Sequence, residues 1–273
     1  MGFAELIPGV SGGTIALILG IYKRLIEAIS NINLAFLKGA FSRSFKQSWN
    51  QADLNFLFFL VLGMAVSVLA FSSVIIFFFY NFPLFLKSFF SGLLLTSLFY
   101  KPLKPEAIDK KFLFGFFIAC LVILLVWNIQ PTEFAEDRLT YIFFGGFIAV
   151  CAFILPGISG SFMLLLLGIY ELVILSIKEF NLTILSSLFC GCLIGLLLFI
   201  RLVKRAYQDY PEHLLGFFYS LVLLSIPLLW KSSEWKIALP NYQLGFLEAF
   251  LGLVFGVLCV FLLQKLSSIF QDT

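Results

Sequence analysis

Charge is what this chain has least of. Of its 273 residues 12% are Asp, Glu, Lys or Arg, where a soluble domain carries about a quarter. So few charges cannot cover a water-facing surface of this size, which excludes a separate soluble domain and makes lipid the main solvent. Histidine occurs once, as His213 beside Pro211 and Glu212 at the end of an apolar run. It reads as structural, and no metal or other cofactor is expected. The five cysteines, Cys120, Cys151, Cys190, Cys192 and Cys259, all lie inside apolar runs. Cys190-x-Cys192 lacks redox or zinc spacing, so they read as small packing residues. No basic patch points to nucleic acid.

What is abundant is apolar. Hydrophobic residues make up 61% of the chain, 36 of them Phe, and the mean hydropathy is +1.05. Long apolar runs predict spans near 56–80, 84–100, 112–128, 140–155, 184–200, 213–230 and 244–263. Two further apolar segments, 4–29 and 153–177, are broken by Pro and Gly and predict re-entrant or discontinuous helices. Basic residues set the orientation. Lys38, Arg43 and Lys46, then Lys101, Lys104, Lys110 and Lys111, then Arg201, Lys204, Arg205 and Lys265 mark cytoplasmic segments, the C-terminus included. The acidic loop 130–138 reads as external. Leu34, Leu37, Phe41, Phe45 and Trp49 fall at three- and four-residue steps between basic residues, which predicts an interfacial amphipathic helix within 31–52. Trp49, Trp127, Trp230 and Trp235 read as interfacial belt residues.

The two broken segments carry one motif twice. "PGVSGGT" spans Pro8–Thr14 and "PGISGSF" spans Pro156–Phe162, an offset of 148 that also maps Gly20-Ile21-Tyr22 onto Gly168-Ile169-Tyr170. Further on, Gly63 maps to Gly191, Pro83 to Pro211 and "FFSGLLLTS" to "FFYSLVLLS", all at an offset of 128. The chain therefore reads as two copies of one unit, 1–139 and 140–273, within one all-α membrane domain. Each copy is a motif hairpin followed by three spans. Three is odd, so the copies are expected to lie upside down relative to each other, an architecture of secondary transporters. The second motif follows a helical lead-in, "YIFFGGFIAVCAFIL", whereas the first follows only "MGFAELI". The repeat thus predicts about three further helical turns ahead of Met1.

The motif chemistry suits an anion. Pro8 and Pro156 cannot continue a preceding helix, and Gly9 and Gly157 shape the turn. Ser11 and Thr14 are natural helix N-caps, with an apolar helix following at once. A helix start presents free N–H groups and a positive dipole end, which suits phosphate. Ser11, Gly12, Gly13 and Thr14, with Ser159, Gly160 and Ser161, are the expected lining of one central site. Glu5 lies at membrane depth, where it would orient the site or carry a proton. Lys23 and Arg24 follow the first "GIY", and Glu171 is the repeat mate of Lys23, so this pair is a candidate for a cross-repeat interaction. Glu248 begins a span and reads as interfacial.

"MGFAELIPGVSGGTIALILGIY" and the second "PGISGS" resemble the bacterial polyprenyl-phosphate translocase family, and the likeness covers essentially the whole chain. The resemblance implies a multi-pass protein of the bacterial plasma membrane that flips undecaprenyl phosphate between leaflets to recycle this lipid carrier. In that reading the headgroup is the bound partner and the prenyl tail stays in lipid. Two alternatives remain open at this stage. One is a membrane enzyme like the undecaprenyl-diphosphate phosphatases; their motif continues with an Arg where Gly12 and Gly160 stand here, and it is supported by paired glutamates that this chain lacks. The other is a small-anion secondary transporter using the same helix starts.

Overall fold

The structure is a computed structural model that describes residues 1–6, 10–33, 36, 45–128, 139–231 and 242–271. Most of these residues are helical, with no strand among them. Three short helices come first: α1 (Gly2–Glu5), α2 (Gly12–Ile18) and α3 (Tyr22–Ser30). Then follow α4 (Phe45–Gln51), α5 (Leu54–Asn81), α6 (Pro83–Ser97), α7 (Lys110–Asn128) and α8 (Leu139–Ile154). The second motif gives α9 (Gly160–Leu166) and α10 (Tyr170–Lys178). The chain ends with α11 (Leu182–Asp209), α12 (Pro211–Lys231) and α13 (Tyr242–Gln271). Most of the expected interfacial helix, with Lys38 and Arg43, lies outside the described residues, as do Pro8, Gly9 and the loop 130–138. Its described part, α4, brings the Phe45 and Trp49 rings to 5.6 Å.

All seven expected spans are helical. Among the described residues five stretches are long and apolar enough to cross a bilayer, or six if the pair α9–α10, bent as in a broken span or a re-entrant loop, counts as one. The protein is a multi-pass membrane protein. At 28 residues each, α5 and α11 reach about 42 Å, well beyond the ~30 Å of hydrocarbon. The expected spans at 84–100 and 140–155 come out shorter, as 15 residues in α6 and 16 in α8. Helix α8 stops two residues ahead of Pro156. Proline also sets the joints after α5 and α11. The residue before proline is driven out of the helical region, and Phe82 and Tyr210 adopt nearly the same backbone angles, φ −136° with ψ 56° and 51°.

Helices far apart in sequence pack in three parallel pairs, α6 with α13, α7 with α12 and α8 with α11. In the first, Phe85 N–H donates to Glu248 Oε1 (2.9 Å) at one end, and Gln264 Nε2 donates to the Lys101 carbonyl (3.3 Å) at the other. In the second, a β-carbon on Gly115 or Gly216 would overlap the backbone carbonyl of His213 or Phe112. Only glycine lets the two backbones approach so closely. In the third, Ser187 Oγ donates to the Leu139 carbonyl at 2.6 Å.

One end of the bundle collects the basic residues. There Arg24 pairs with Asp53, Lys204 Nζ donates to Asn31 Oδ1 (3.3 Å), and Lys111 pairs with Glu212 (2.9 Å). The start of α5 and the end of α11 both lie at this end, so these two helices run in opposite directions.

Candidate functional site

Two short helices begin at the serines of the repeated motif. Ser11 is the N-cap of α2, with φ −103° and ψ 130°; Ser159 is that of α9, with φ −95° and ψ 134°. Both are the extended cap geometry that turns the chain into a helix. The helices also stop alike. Gly20 and Gly168 have φ of 72° and 70°. Ile21 N–H then reaches back to the Ala16 carbonyl (3.0 Å) and Ile169 N–H to that of Leu164 (3.1 Å). This is the six-to-one bond of a Schellman stop, which the left-handed glycine permits. The "GIY" closing each motif is therefore a helix stop, and α10 leaves α9 at a bend of 108°.

The two starts touch. Ser11 Oγ donates to the Leu155 carbonyl (3.0 Å), Thr14 Oγ1 accepts from Gly157 N–H (2.8 Å), and Tyr22 OH donates to the Ile154 carbonyl (3.1 Å). Ser11, Thr14, Tyr22 and Ser159 are each no more than 1% exposed. From this meeting point α2 runs to the basic end, where the Ile18 carbonyl accepts from Gln264 (3.2 Å). Helix α9 runs to the opposite end, where the Leu167 carbonyl accepts from Tyr141 OH near the start of α8 (2.7 Å). The positive ends of two short dipoles thus lie together in the interior.

The starts differ in what they hold. At α2, Glu5 Oε1 accepts from Gly12 N–H at 2.6 Å and Ser11 Oγ accepts from Gly13 N–H at 3.1 Å. The chain's own carboxylate occupies the place where a helix start would take an anion. At α9 the Ser159 and Ser161 hydroxyls share a 2.9 Å hydrogen bond, and Ser159 does not cap. The amides of Gly160, Ser161 and Phe162 have no acceptor among the described residues.

Other expected residues are placed as follows. Thr14 was expected as an N-cap; it sits inside α2, and its hydroxyl instead bridges to the other motif. Gly157 has φ +87°, the left-handed turn leading into α9. Lys23 and Glu171 are exposed, and no ion pair joins them. Arg24 pairs with Asp53 and lies 4.4 Å over the Phe56 ring. That guanidinium holds the Asp53 carboxyl below its usual range. His213 packs edge-on against Phe114 and Tyr210, as a structural residue would. One residue escaped the sequence reading. Lys87 is fully buried in α6, its ammonium 5.5 Å from the ring centroid of Trp230, the expected belt residue, which is 41% exposed.

Residues 1–244 match a family described as undecaprenyl phosphate translocase-like. The chain belongs to this family. Among curated proteins it is 34% identical over 251 residues to a polyprenyl-phosphate transporter of Vibrio cholerae serotype O1, an alignment covering 91% of this chain and 81% of the relative. It is 32% identical over 222 residues to a polyprenyl-phosphate transporter of Staphylococcus aureus, covering 75% of this chain and 74% of the relative. No solved structure matches it.

Proposed function

We propose that this chain moves a polyprenyl phosphate, undecaprenyl phosphate in the first place, between the leaflets of the bacterial plasma membrane. The headgroup is taken where the starts of α2 and α9 meet, and the prenyl tail stays in the surrounding lipid. Family membership supports the substrate class. The observation that carries the site is the contact of the two motifs, Ser11 to Leu155 and Thr14 to Gly157, deep in the bundle.

The open amides of Gly160 and Ser161, with the Ser159 and Ser161 hydroxyls, are donors that suit a phosphate. On the α2 side Glu5 holds the equivalent amide, so an arriving phosphate competes with a carboxylate. The two units, 1–139 and 140–273, act as inverted repeats. The opposite directions of α5 and α11, and of α2 and α9, support that reading. The basic end faces the cytoplasm and carries the C-terminus, by the usual bias of Lys and Arg.

The test is reconstitution in liposomes with labelled undecaprenyl phosphate and a leaflet-specific readout. The wild type speeds exchange between leaflets, and the double variant Ser11→Ala with Ser159→Ala slows it. Equal rates in the two proteins would sink the headgroup site. No rate above protein-free liposomes would sink the transport reading.

A further inference from the structure

Glycine at one matching place in the two units meets opposite surroundings. Gly63 of α5 and Gly191 of α11 are mates at the 128-residue offset. Gly191 is buried, and a β-carbon on it would overlap the Phe143 carbonyl of α8. Gly195, one turn on, is buried as well, and its β-carbon would stand 2.9 Å from the Phe147 carbonyl. From the α8 side, a β-carbon at Gly146 would stand 2.5 Å from the Leu188 carbonyl. Gly63, in contrast, is exposed, with no atom of the described residues within 4 Å of the place of its β-carbon. Their helices differ in the same way. Helix α11 buries Ile184, Gly191, Gly195, Ile200 and Val203, whereas α5 buries Ile75 alone.

Exposure to lipid alone would mean nothing for so apolar a helix. A glycine there does, because it gives up helix propensity and its use is to let another backbone come close. That approach has already begun. Helix α1 is four residues long, too short to hold as a helix by itself. It lies on α5, where a β-carbon at Gly2 would stand 2.5 Å from the Met64 carbonyl. Phe3 then meets the Phe71 ring edge-on at 5.7 Å. So α1 advances along α5 as α8 advances along α11, from Ser187 beside Leu139 to Gly195 beside Phe147. Continued backwards from Gly2, the same helix runs over Gly63 and Leu60 to the start of α5. From Met64 back to Leu54 is about 15 Å along the axis, or about three turns. The repeat gives the same length. Gly2–Glu5 match Val150–Phe153, the last turn of α8, and α8 has about three turns ahead of it.

We infer that the face of α5 around Gly63 is the seat of an apolar helix leading into α1, the first unit's counterpart of α8. This helix sets a glycine against Leu60, as α8 sets Gly146 against Leu188. It gives α1 the anchorage that four residues lack. It thereby fixes Glu5, whose carboxylate holds the Gly12 amide at 2.6 Å. The inference stands on the packing of the two units and does not depend on the substrate.

The test produces the protein from its own gene with a removable C-terminal tag, so that the cell sets the start, and measures the intact mass. The mass is expected to exceed the 30.8 kDa of the 273-residue chain by about eleven residues or more. A mass of 30.8 kDa overturns the proposal. Gly63→Leu is then placed in the longer protein and in the chain from Met1. The longer protein loses roughly 3–10 °C of Tm, as an overpacked seam does, while the chain from Met1 keeps its own. No loss in the longer protein, or an equal loss in both, overturns the proposal. A shift from dimer to monomer in Gly63→Leu gives the face to a second copy and overturns it as well. If Gly63→Leu does not fold, Gly63→Ala decides. It lowers Tm in the longer protein, whether or not the chain from Met1 folds, and an unchanged or raised Tm there, as alanine facing lipid would give, refutes the inference.

Discussion

Replacing Thr14 by Val removes one hydroxyl and keeps the shape of the side chain. That hydroxyl accepts from Gly157 N–H at 2.8 Å, and both groups are buried. The variant leaves a backbone donor without its acceptor in an interior that water reaches poorly. An unmade buried hydrogen bond costs about 1–3 kcal/mol in soluble proteins. Interhelical bonds inside membranes average ~0.6 kcal/mol, with a ceiling of ~1.7, because the unfolded chain also finds partners. A backbone amide next to Pro156 has few alternatives, so the upper part of the membrane range applies, about 1–1.7 kcal/mol. That corresponds to roughly a five- to twentyfold change in an equilibrium constant. The assay is matched unfolding of wild type, Thr14→Val and Thr14→Ser in detergent, with amide exchange followed at Gly157. Thr14→Val is expected to lose the stated stability and to expose the Gly157 amide, while Thr14→Ser stays near wild type. Equal stability and equal protection for Val and Thr would refute the claim that this bond holds the motifs together.

Other outcomes follow from particular contacts. A β-carbon at Gly12 would stand 2.5 Å from Glu5 Oε1, the mobile tip of a side chain. Gly12→Ala should therefore dislodge Glu5 and change transport as Glu5→Ala does. The double variant should add little beyond either one, and a fully additive result in the liposome assay would argue against this coupling. Gly216→Ala drives a β-carbon into the Phe112 backbone, which cannot yield as a side-chain tip does. Overpacking costs about 1–3 kcal/mol, and here the upper end applies, read as lost monodispersity or a lowered Tm. At the basic end the Arg24–Asp53 pair is partly exposed, and removing it with Arg24→Ala should cost no more than about 1 kcal/mol. Arg24 lowers the Asp53 carboxyl in the folded state. The pair's contribution is therefore fully present above the ordinary carboxylate range, near pH 4, and is lost only as pH falls through the lower folded value. A difference between wild type and variant that vanished already at pH 6 would contradict this.

Much of the fold was legible because it is written in long apolar runs and punctuated by proline. The 128-residue offset that joins Pro83 to Pro211 also joins both ends of α5 to those of α11. The left-handed glycines that end α2 and α9 were visible as the twice-used "GIY". Pairing of helices was not legible. α6 lies beside α13, and α7 beside α12, through glycines whose partners are backbone carbonyls in the other unit. A carbonyl has no sequence signature. For the same reason the bridging role of Thr14 was hidden, since its partner is the amide of Gly157. Lys87 was passed over because one lysine near the end of an apolar run looks like an interfacial residue; only its burial against Trp230 distinguishes it.

The asymmetry between the motifs bears on how such a carrier would work. If both helix starts were open, a phosphate would be held equally from either side, and tight uniform binding moves nothing. Here the α2 start is closed by Glu5, whereas the α9 start meets no acceptor among the described residues. In the proposed reading a headgroup reaching the α9 start has Glu5 as its competitor at the α2 start. Exchange of a carboxylate for a phosphate at Gly12 would then set the rate of passage alike in both directions, because passive exchange obeys detailed balance. Glu5→Gln, which keeps an acceptor but removes the charge, should change the leaflet exchange rate in the liposome assay. An unchanged rate would mean that Glu5 only shapes the hairpin.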